Sequence, residues 1–286
     1  MRIANLDGRL VLAVDGAALD VEKASAGRFG PSPQHIYERW DEFRRWAATA
    51  PLEHAVPFEP ERLRSPVPAP GQVIAVGLNY REHVDEAGLA APEGLPPVFT
   101  KFPSSVTGPY SSVELPDGNV DWEAELAVVI GRTAFRIGEH QAWDHVAGLT
   151  VAQDLSERIL QMSGPAPQFG LGKSYPGFSP LGPWVVTPDE FDDVDDLTLT
   201  CTVNDEIVQR ASTRELIFPV PTLIARLSAV VPLNAGDVIL TGTPGGVGLC
   251  RTPPRFLAAG DTVVTAIEGI GRIRQRMVAA PGKEAA

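Results

Sequence analysis

The sequence predicts a β-rich α+β fold, and three observations carry that prediction. Short apolar or β-branched runs of strand length recur along most of the chain. The 286 residues include 27 glycines and 27 prolines, so turns must be frequent. Runs with helical spacing are few, which sets the chain apart from a regularly alternating α/β sheet. With 44% apolar and 21% charged residues, the composition is that of a soluble globular chain rather than a disordered one.

Taken in order, Arg9–Val14 reads as a short strand closed by the turn pair Asp15-Gly16. Between Pro33 and Ala50, Ile36, Trp40, Phe43 and Trp46 recur at three- and four-residue spacing and predict an amphipathic helix. Ser65-Pro66-Val67-Pro68-Ala69-Pro70-Gly71 sets proline at alternate positions, which forbids helix and favours a stiff connector. A boundary is therefore predicted there, between a small N-terminal α+β domain over residues 1–66 and a larger domain over residues 71–286. In the larger part, Val73–Val76, Glu125–Ile130, Trp184–Thr187, Leu197–Val203, Val238–Leu240 and Thr262–Ile267 read as strands. The clearest helix is Val220–Val230, with Leu223, Ile224, Leu227 and Val230 on one face. No internal repeat is visible.

Charge and cysteine content exclude several function classes. A net charge of −12 repels both a nucleic-acid backbone and an anionic membrane surface. No apolar run approaches the roughly 18 residues of a membrane helix, and the charged start Met1–Arg9 lacks the apolar stretch of a signal peptide. Two distant cysteines, Cys201 and Cys250, rule out a disulfide framework and a thiolate zinc site. A cytoplasmic location is the expectation.

Three carboxylates stand where core strands begin or end. In Asp121-Trp122-Glu123-Ala124-Glu125-Leu126-Ala127-Val128-Val129-Ile130, strand periodicity turns Glu123 and Glu125 to one face, about 7 Å apart at Cα. Like charges side by side at the edge of a buried strand repel each other and resist desolvation, unless the pair faces solvent or a hard cation binds both. Asp154 ends the apolar run Val146–Gln153, either as the N-cap of a helix starting at the next residues or as a third oxygen ligand. Glu123, Glu125 and Asp154 together make a three-carboxylate site suited to Mg²⁺ or Mn²⁺, with positions open for water and substrate.

The chain resembles the fumarylacetoacetate hydrolase family through nearly all of residues 71–275. The resemblance is carried by Gly77-Leu78-Asn79-Tyr80-Arg81-Glu82-His83-Val84-Asp85-Glu86, Pro97-Val98-Phe99-Thr100-Lys101, Asp121–Leu126, Asp154-Leu155-Ser156-Glu157-Arg158, Gly172-Lys173-Ser174, Pro180-Leu181-Gly182-Pro183 and Thr241-Gly242-Thr243-Pro244-Gly245-Gly246-Val247-Gly248, in the family's order. It implies a mixed β-roll catalytic domain with a small N-terminal domain, a homodimer, and Glu123, Glu125 and Asp154 as metal ligands. It implies His83 and Glu86 as the catalytic pair: three residues apart on a helical turn, they can touch, and the carboxylate would fix the imidazole tautomer. It gives Lys173 a role in holding substrate and developing oxyanion charge, against the plain reading of an exposed loop lysine. Gly242, Thr243, Arg158 and Tyr80 are the substrate-binding candidates. A bare glycine turn remains open for Gly242 and Thr243, and a structural ion pair for Arg158. Two departures, Gln153 where many relatives carry Asn and Tyr175-Pro176-Gly177-Phe178 where many carry a Phe-Asp-Thr-Phe-like run, predict altered walls of the substrate pocket.

The expected reaction is divalent-metal-dependent hydrolysis of a C–C bond in a 2,4-dioxo acid of acylpyruvate or fumarylpyruvate type, through a metal-stabilised enolate and without an organic cofactor. The same apparatus serves an oxaloacetate decarboxylase, an isomerase of unsaturated 2-oxo diacids or a diketo deoxy-sugar acid hydrolase. A catalytically silent metal- and carboxylate-binding scaffold is the reading outside enzymes.

Overall fold

The N-terminal residues form a meander of β1 (Arg2–Leu6), β2 (Arg9–Val14) and β3 (Ala17–Asp20) in the computed structural model, which describes residues 1–280. The body strands then build two large sheets, beside a two-stranded one that pairs Val120–Asp121 with Ser156–Glu157. The first contains β4 (Val73–Val76), β5 (Val98–Lys101), β7 (Ala124–Ile130), β8 (Val146–Gln153), β9 (Ser179–Val186) and β12 (Val238–Leu240), and the second contains β6 (Tyr110–Leu115), β10 (Thr198–Val203), β11 (Glu206–Ser212), β13 (Thr262–Ile267) and β14 (Gly271–Ala279). The order of the large sheet is β3-β2-β1-β9-β8-β7-β12-β4-β5, and that of the second β11-β10-β13-β14-β6. Central strands β7 and β8 are buried at every position, as uninterrupted apolar runs require. The second sheet is buried on one face only: in β14, Ile273, Gln275 and Met277 point inward while Arg272, Arg274 and Arg276 point out.

Four predicted strands, at residues 9–14, 73–76, 238–240 and 262–267, have the expected bounds. The predicted helix over Pro33–Ala50 is shorter: a 3₁₀ turn at Tyr37–Arg39 leads into α1 (Trp40–Ala47), because Arg39 departs from helical geometry at φ −123°. Besides a single helical turn at Val21–Ala24, the helices named below are α2 (Arg81–Glu86), α3 (Arg158–Gln161), α4 (Phe169–Gly172) and α5 (Val220–Ser228). Helix α5 buries Leu223, Ile224 and Leu227 as its spacing predicts, whereas Val230 lies beyond its end and is exposed.

The connector at Ser65–Gly71 joins two segments that share one sheet and one core. Strand β1 pairs antiparallel with β9, Arg2 opposite Val186 and Ile3 opposite Val185. Tyr37, Trp40 and Phe43 pack in the same apolar cluster as Val73, Ala127, Val129 and Leu240. Residues 1–66 therefore extend the large sheet rather than closing a sheet of their own. The last six residues of the expected 71–286 unit lie outside the described residues.

Candidate metal centre and its basic residues

Two adjacent strand ends create the site. Strands β7 and β8 are antiparallel neighbours with Ala124 opposite Gln153, so the start of one meets the end of the other. That meeting is pinned twice: the Asp154 N–H donates to the Glu123 carbonyl at 2.9 Å, and the Glu123 N–H donates to Gln153 Oε1 at 3.0 Å. Gln153 also donates to Thr265 Oγ1 at 2.8 Å, fixing its amide from the second sheet. The result gathers Glu123, Glu125 and Asp154, all buried, with one carboxylate oxygen of each within 4.8 Å of the others. Asp154 is not a helix cap. Glu157 does that work, accepting from the N–H groups of Ile159 and Leu160 at the start of α3.

Cations line one side of the triad. The Lys173 ammonium lies 2.8 Å from Glu123 Oε2 and 2.7 Å from Asp154 Oδ2, and Lys101 pairs with Asp154 Oδ1. Arg158 Nε donates to Asp121 Oδ1 at 2.6 Å, while its Nη2 sits 2.7 Å from Glu123 Oε1. Arg158 is thus a buried ion-pair residue in this structure, and Lys173 is buried rather than an exposed loop lysine. Glu125 differs from its neighbours: its Oε2 accepts a hydrogen bond from the Gly242 N–H at 2.6 Å, and no cation lies within ion-pair distance among the described residues.

The electrostatics follow from these partners. Burial alone would push the Glu123 carboxyl up, but Lys173 and Arg158 outweigh burial and hold it below the usual range. Burial raises the Glu125 carboxyl well above that range, and the charges of Asp154 and Glu123 push it further. Burial also lifts Asp121 to about 6 against the pull of Arg158. The two lysines divide: burial depresses Lys101, whereas Asp154 and Glu123 overcome burial and raise Lys173.

His83 and Glu86 meet as their spacing on α2 predicts, with His83 Nδ1 2.8 Å from Glu86 Oε1. Glu86 is itself held, since its Oε2 accepts from the Gly246 N–H at 2.8 Å. Against a Glu86 carboxylate, Nδ1 would be the imidazole's N–H donor and Nε2 its basic nitrogen. The pair lies near Glu123 without bonding to the triad.

The loop Thr241–Gly246 does different work from the carboxylate cradle expected of it. The Gly242 N–H is committed to Glu125, and the Thr243 hydroxyl donates to the Ala124 carbonyl at 2.9 Å while accepting from Gln209 Nε2 at 2.8 Å. Neither donor is left for a substrate carboxylate. Gly242 holds φ +104°, and a Cβ there would stand 2.8 Å from Asn79 Cβ, so the turn needs glycine to bring its N–H onto Glu125. Tyr80 is buried, and its hydroxyl has no hydrogen-bond partner among the described residues. Burial, then the nearby Glu125 charge, pushes that phenol up.

Lys101, Asp121 and Gln209 are bonded to residues of the site, and the sequence alone did not single them out. Lys101 carries the same signal as the carboxylates, a charge closing a strand and buried completely on its inner side. Gln209 gives no such signal, because it is linked to the site only through the fold, by bonds to Ala124, Thr243 and Pro244.

The donor set fits a hard dication. All three candidate ligands are carboxylates, and four buried carboxylates, Asp121 included, face three cations, Lys101, Lys173 and Arg158. With all four ionised, one negative charge would stay uncompensated, and it would fall on Glu125, the candidate ligand without a cationic partner, whose carboxyl is raised accordingly. A divalent ion among Glu123, Glu125 and Asp154 would remove that excess.

Comparison with known proteins points the same way. A model of the C-terminal domain of fumarylacetoacetate hydrolases matches residues 72–278. The mitochondrial oxaloacetate tautomerase FAHD2A of Homo sapiens is 46% identical over 216 residues, 75% of this chain and 68% of that protein. An HpcE-like protein of Mycobacterium smegmatis superposes with a TM-score of 0.92 at 55% identity, covering 98% of this chain and 100% of that one. Maleylpyruvate hydrolase from Sphingobium sp. SYK-6, solved with manganese(II) and pyruvate, superposes with a TM-score of 0.77 at 28% identity, again over 98% and 100% of the two chains.

Proposed function

The chain belongs to the fumarylacetoacetate hydrolase family and has its sheet-rich α+β fold, and from that premise we propose that it is a divalent-metal-dependent enzyme interconverting the keto and enol forms of a small 2-oxo diacid, oxaloacetate first. The observation that carries the proposal is the His83–Glu86 pair set beside a buried triad of hard ligands. Bound by Glu123, Glu125 and Asp154, Mg²⁺ or Mn²⁺ would supply Lewis-acid polarisation of a keto oxygen and a neighbouring carboxylate oxygen.

The chain's own residues do the rest. Glu86 holds the Nδ1–H of His83, so Nε2 accepts the proton from the carbon beside the keto group and returns it to the oxygen. Lys173 and Lys101 keep the Asp154 carboxylate in place. Proton transfer needs only a base and a polarised oxygen. Hydrolysis also needs donors for a tetrahedral oxyanion, and Lys173, expected to do that work, is engaged on two carboxylates, while the substrate-binding candidates Gly242, Thr243 and Arg158 are engaged on Glu125, Ala124 and Asp121. The names of the relatives at 44–46% identity, oxaloacetate tautomerases, support the same reading.

A second reading, hydrolysis of an acylpyruvate to pyruvate and a carboxylic acid, is favoured by the likeness to maleylpyruvate hydrolase. One experiment separates the two. Enol absorbance and pyruvate release are followed in parallel with oxaloacetate and with a panel of acylpyruvates, with Mn²⁺ and with chelator. Metal-dependent enol decay without pyruvate supports the tautomerase, and pyruvate from an acylpyruvate at a higher kcat/KM replaces it with the hydrolase.

A further inference from the structure

Glu123 stands where the neighbouring ladders run out. The chain leaves its pairing with Ser156–Glu157 after Asp121 and enters β7 only at Ala124. On one side β8 ends at Gln153, opposite Ala124, and on the other β12 ends at Leu240, opposite Ala127. Among the described residues no strand is left to take the N–H groups of Glu123 and Ala124, and a buried N–H is costly to leave unpaired.

Two buried glutamine side chains take them. Gln153 Oε1 accepts the Glu123 N–H at 3.0 Å, and Gln209 Oε1 accepts the Ala124 N–H at 2.9 Å. Each amide is fixed again at its other end. Gln153 Nε2 donates to Thr265 Oγ1 on β13 at 2.8 Å. Gln209 Nε2 donates to Thr243 Oγ1 at 2.8 Å and to the Pro244 carbonyl at 2.9 Å. A bulge aims Gln209 at the site: β11 slips against β10 between Cys201 and Thr202, which leaves Val208 without a partner in register and buries both Val208 and Gln209.

We propose that Gln153 and Gln209 are positioning residues for the metal centre. Through the N–H groups of Glu123 and Ala124 they set the direction of the Glu123 carboxylate, and they tie that direction to the second sheet and to the loop whose Gly242 holds Glu125. Groups that orient a metal ligand from behind change metal affinity about ten- to a hundredfold when they are removed. The inference rests on the proposed metal dependence and is indifferent to which reaction follows.

Calorimetric Mn²⁺ titration and the electron paramagnetic resonance spectrum of bound Mn²⁺ test this on the full chain, native and as Gln153→Met, Gln209→Met, Thr265→Val and the double variant Gln153→Met with Thr265→Val. Either glutamine variant should bind Mn²⁺ about tenfold or more weakly, with an altered spectrum. Thr265→Val should also weaken binding, and the double variant should be no worse than Gln153→Met alone, because Thr265 acts through Gln153. Trp40→Ala, in a cluster that holds none of the three carboxylates, is the control: its melting temperature falls while affinity and spectrum stay native. Native affinity and spectrum in both glutamine variants overturn the proposal and leave the metal centre standing. Should a glutamine variant not fold, Thr265→Val decides, since native affinity there breaks the tie to the second sheet. A native chain that binds no Mn²⁺ overturns the metal centre and this inference with it.

Discussion

Glu125 and Asp154 lie equally deep, yet Asp154 is held by two lysines and Glu125 by a single backbone N–H. That asymmetry gives Glu125→Gln opposite effects on two measurements. Removing a ligand should abolish tight Mn²⁺ binding in a calorimetric titration. Removing a buried, unpaired carboxyl should raise the melting temperature of the metal-free chain. The sign follows from linkage. A carboxyl raised in the folded state stabilises fully below its unfolded value and loses that contribution as pH climbs to the raised one, about 1.4 kcal/mol for each unit between them. The metal-free chain should therefore lose stability with rising pH above the ordinary carboxyl range, a slope the variant lacks, while Mn²⁺ affinity of the native chain should rise with pH as Glu125 gives up its proton. His83→Ala separates chemistry from binding: kcat should fall about a hundred- to ten-thousand-fold with Mn²⁺ affinity unchanged, because the imidazole bonds to Glu86 and not to the triad. The triad was legible in the sequence because charge at the end of an apolar run is costly without a partner. The commitments of Thr243 and Gly242 were not, because Ala124, Gln209 and Glu125 reach them only through the fold.

Strands announce themselves when both faces are apolar or when they alternate without long charged side chains, as in Val73–Val76 and Thr262–Ile267. Gly271–Ala279 hides the same alternation behind arginines at every second position, and Glu206–Ser212 behind Glu206, Gln209 and Arg210. Register was out of reach altogether, although register decides the site: a one-residue slip between β7 and β8 would carry Glu125 to the other face. The Thr241–Gly246 loop is the element most exposed to such a geometric demand. Gly242→Ala puts a side chain at φ +104° and against Asn79, whose amide bridges the carbonyls of Phe218 and Thr241. The expected cost is about 1–3 kcal/mol in denaturant unfolding. Mn²⁺ binding should weaken alongside it, since the Gly242 N–H no longer meets Glu125. Unfolding that moves while Mn²⁺ affinity stays would show that the turn serves the fold alone.

At the scale of the whole chain, the proline-rich connector and the shared sheet make opposite predictions about cooperativity. A stiff linker between two self-sufficient domains gives two unfolding transitions, with metal stabilising only the one that carries Glu123, Glu125 and Asp154. Strand β1 bonded to β9, and α1 sharing one apolar cluster with β4, β7 and β12, give a single transition, since neither segment closes its core without the other. Trp40→Ala discriminates between them. It empties a buried site in the shared cluster, to which none of the three carboxylates belongs, and should cost roughly 3–5 kcal/mol. Under the shared-core reading, calorimetry shows one endotherm that moves down as a whole in Trp40→Ala and up as a whole with Mn²⁺, because ligand binding stabilises every element that unfolds with the site. If instead Trp40→Ala shifts a minor transition and leaves the Mn²⁺-sensitive one in place, residues 1–66 are an independent domain, and their pairing with β9 is a docking contact rather than part of the fold.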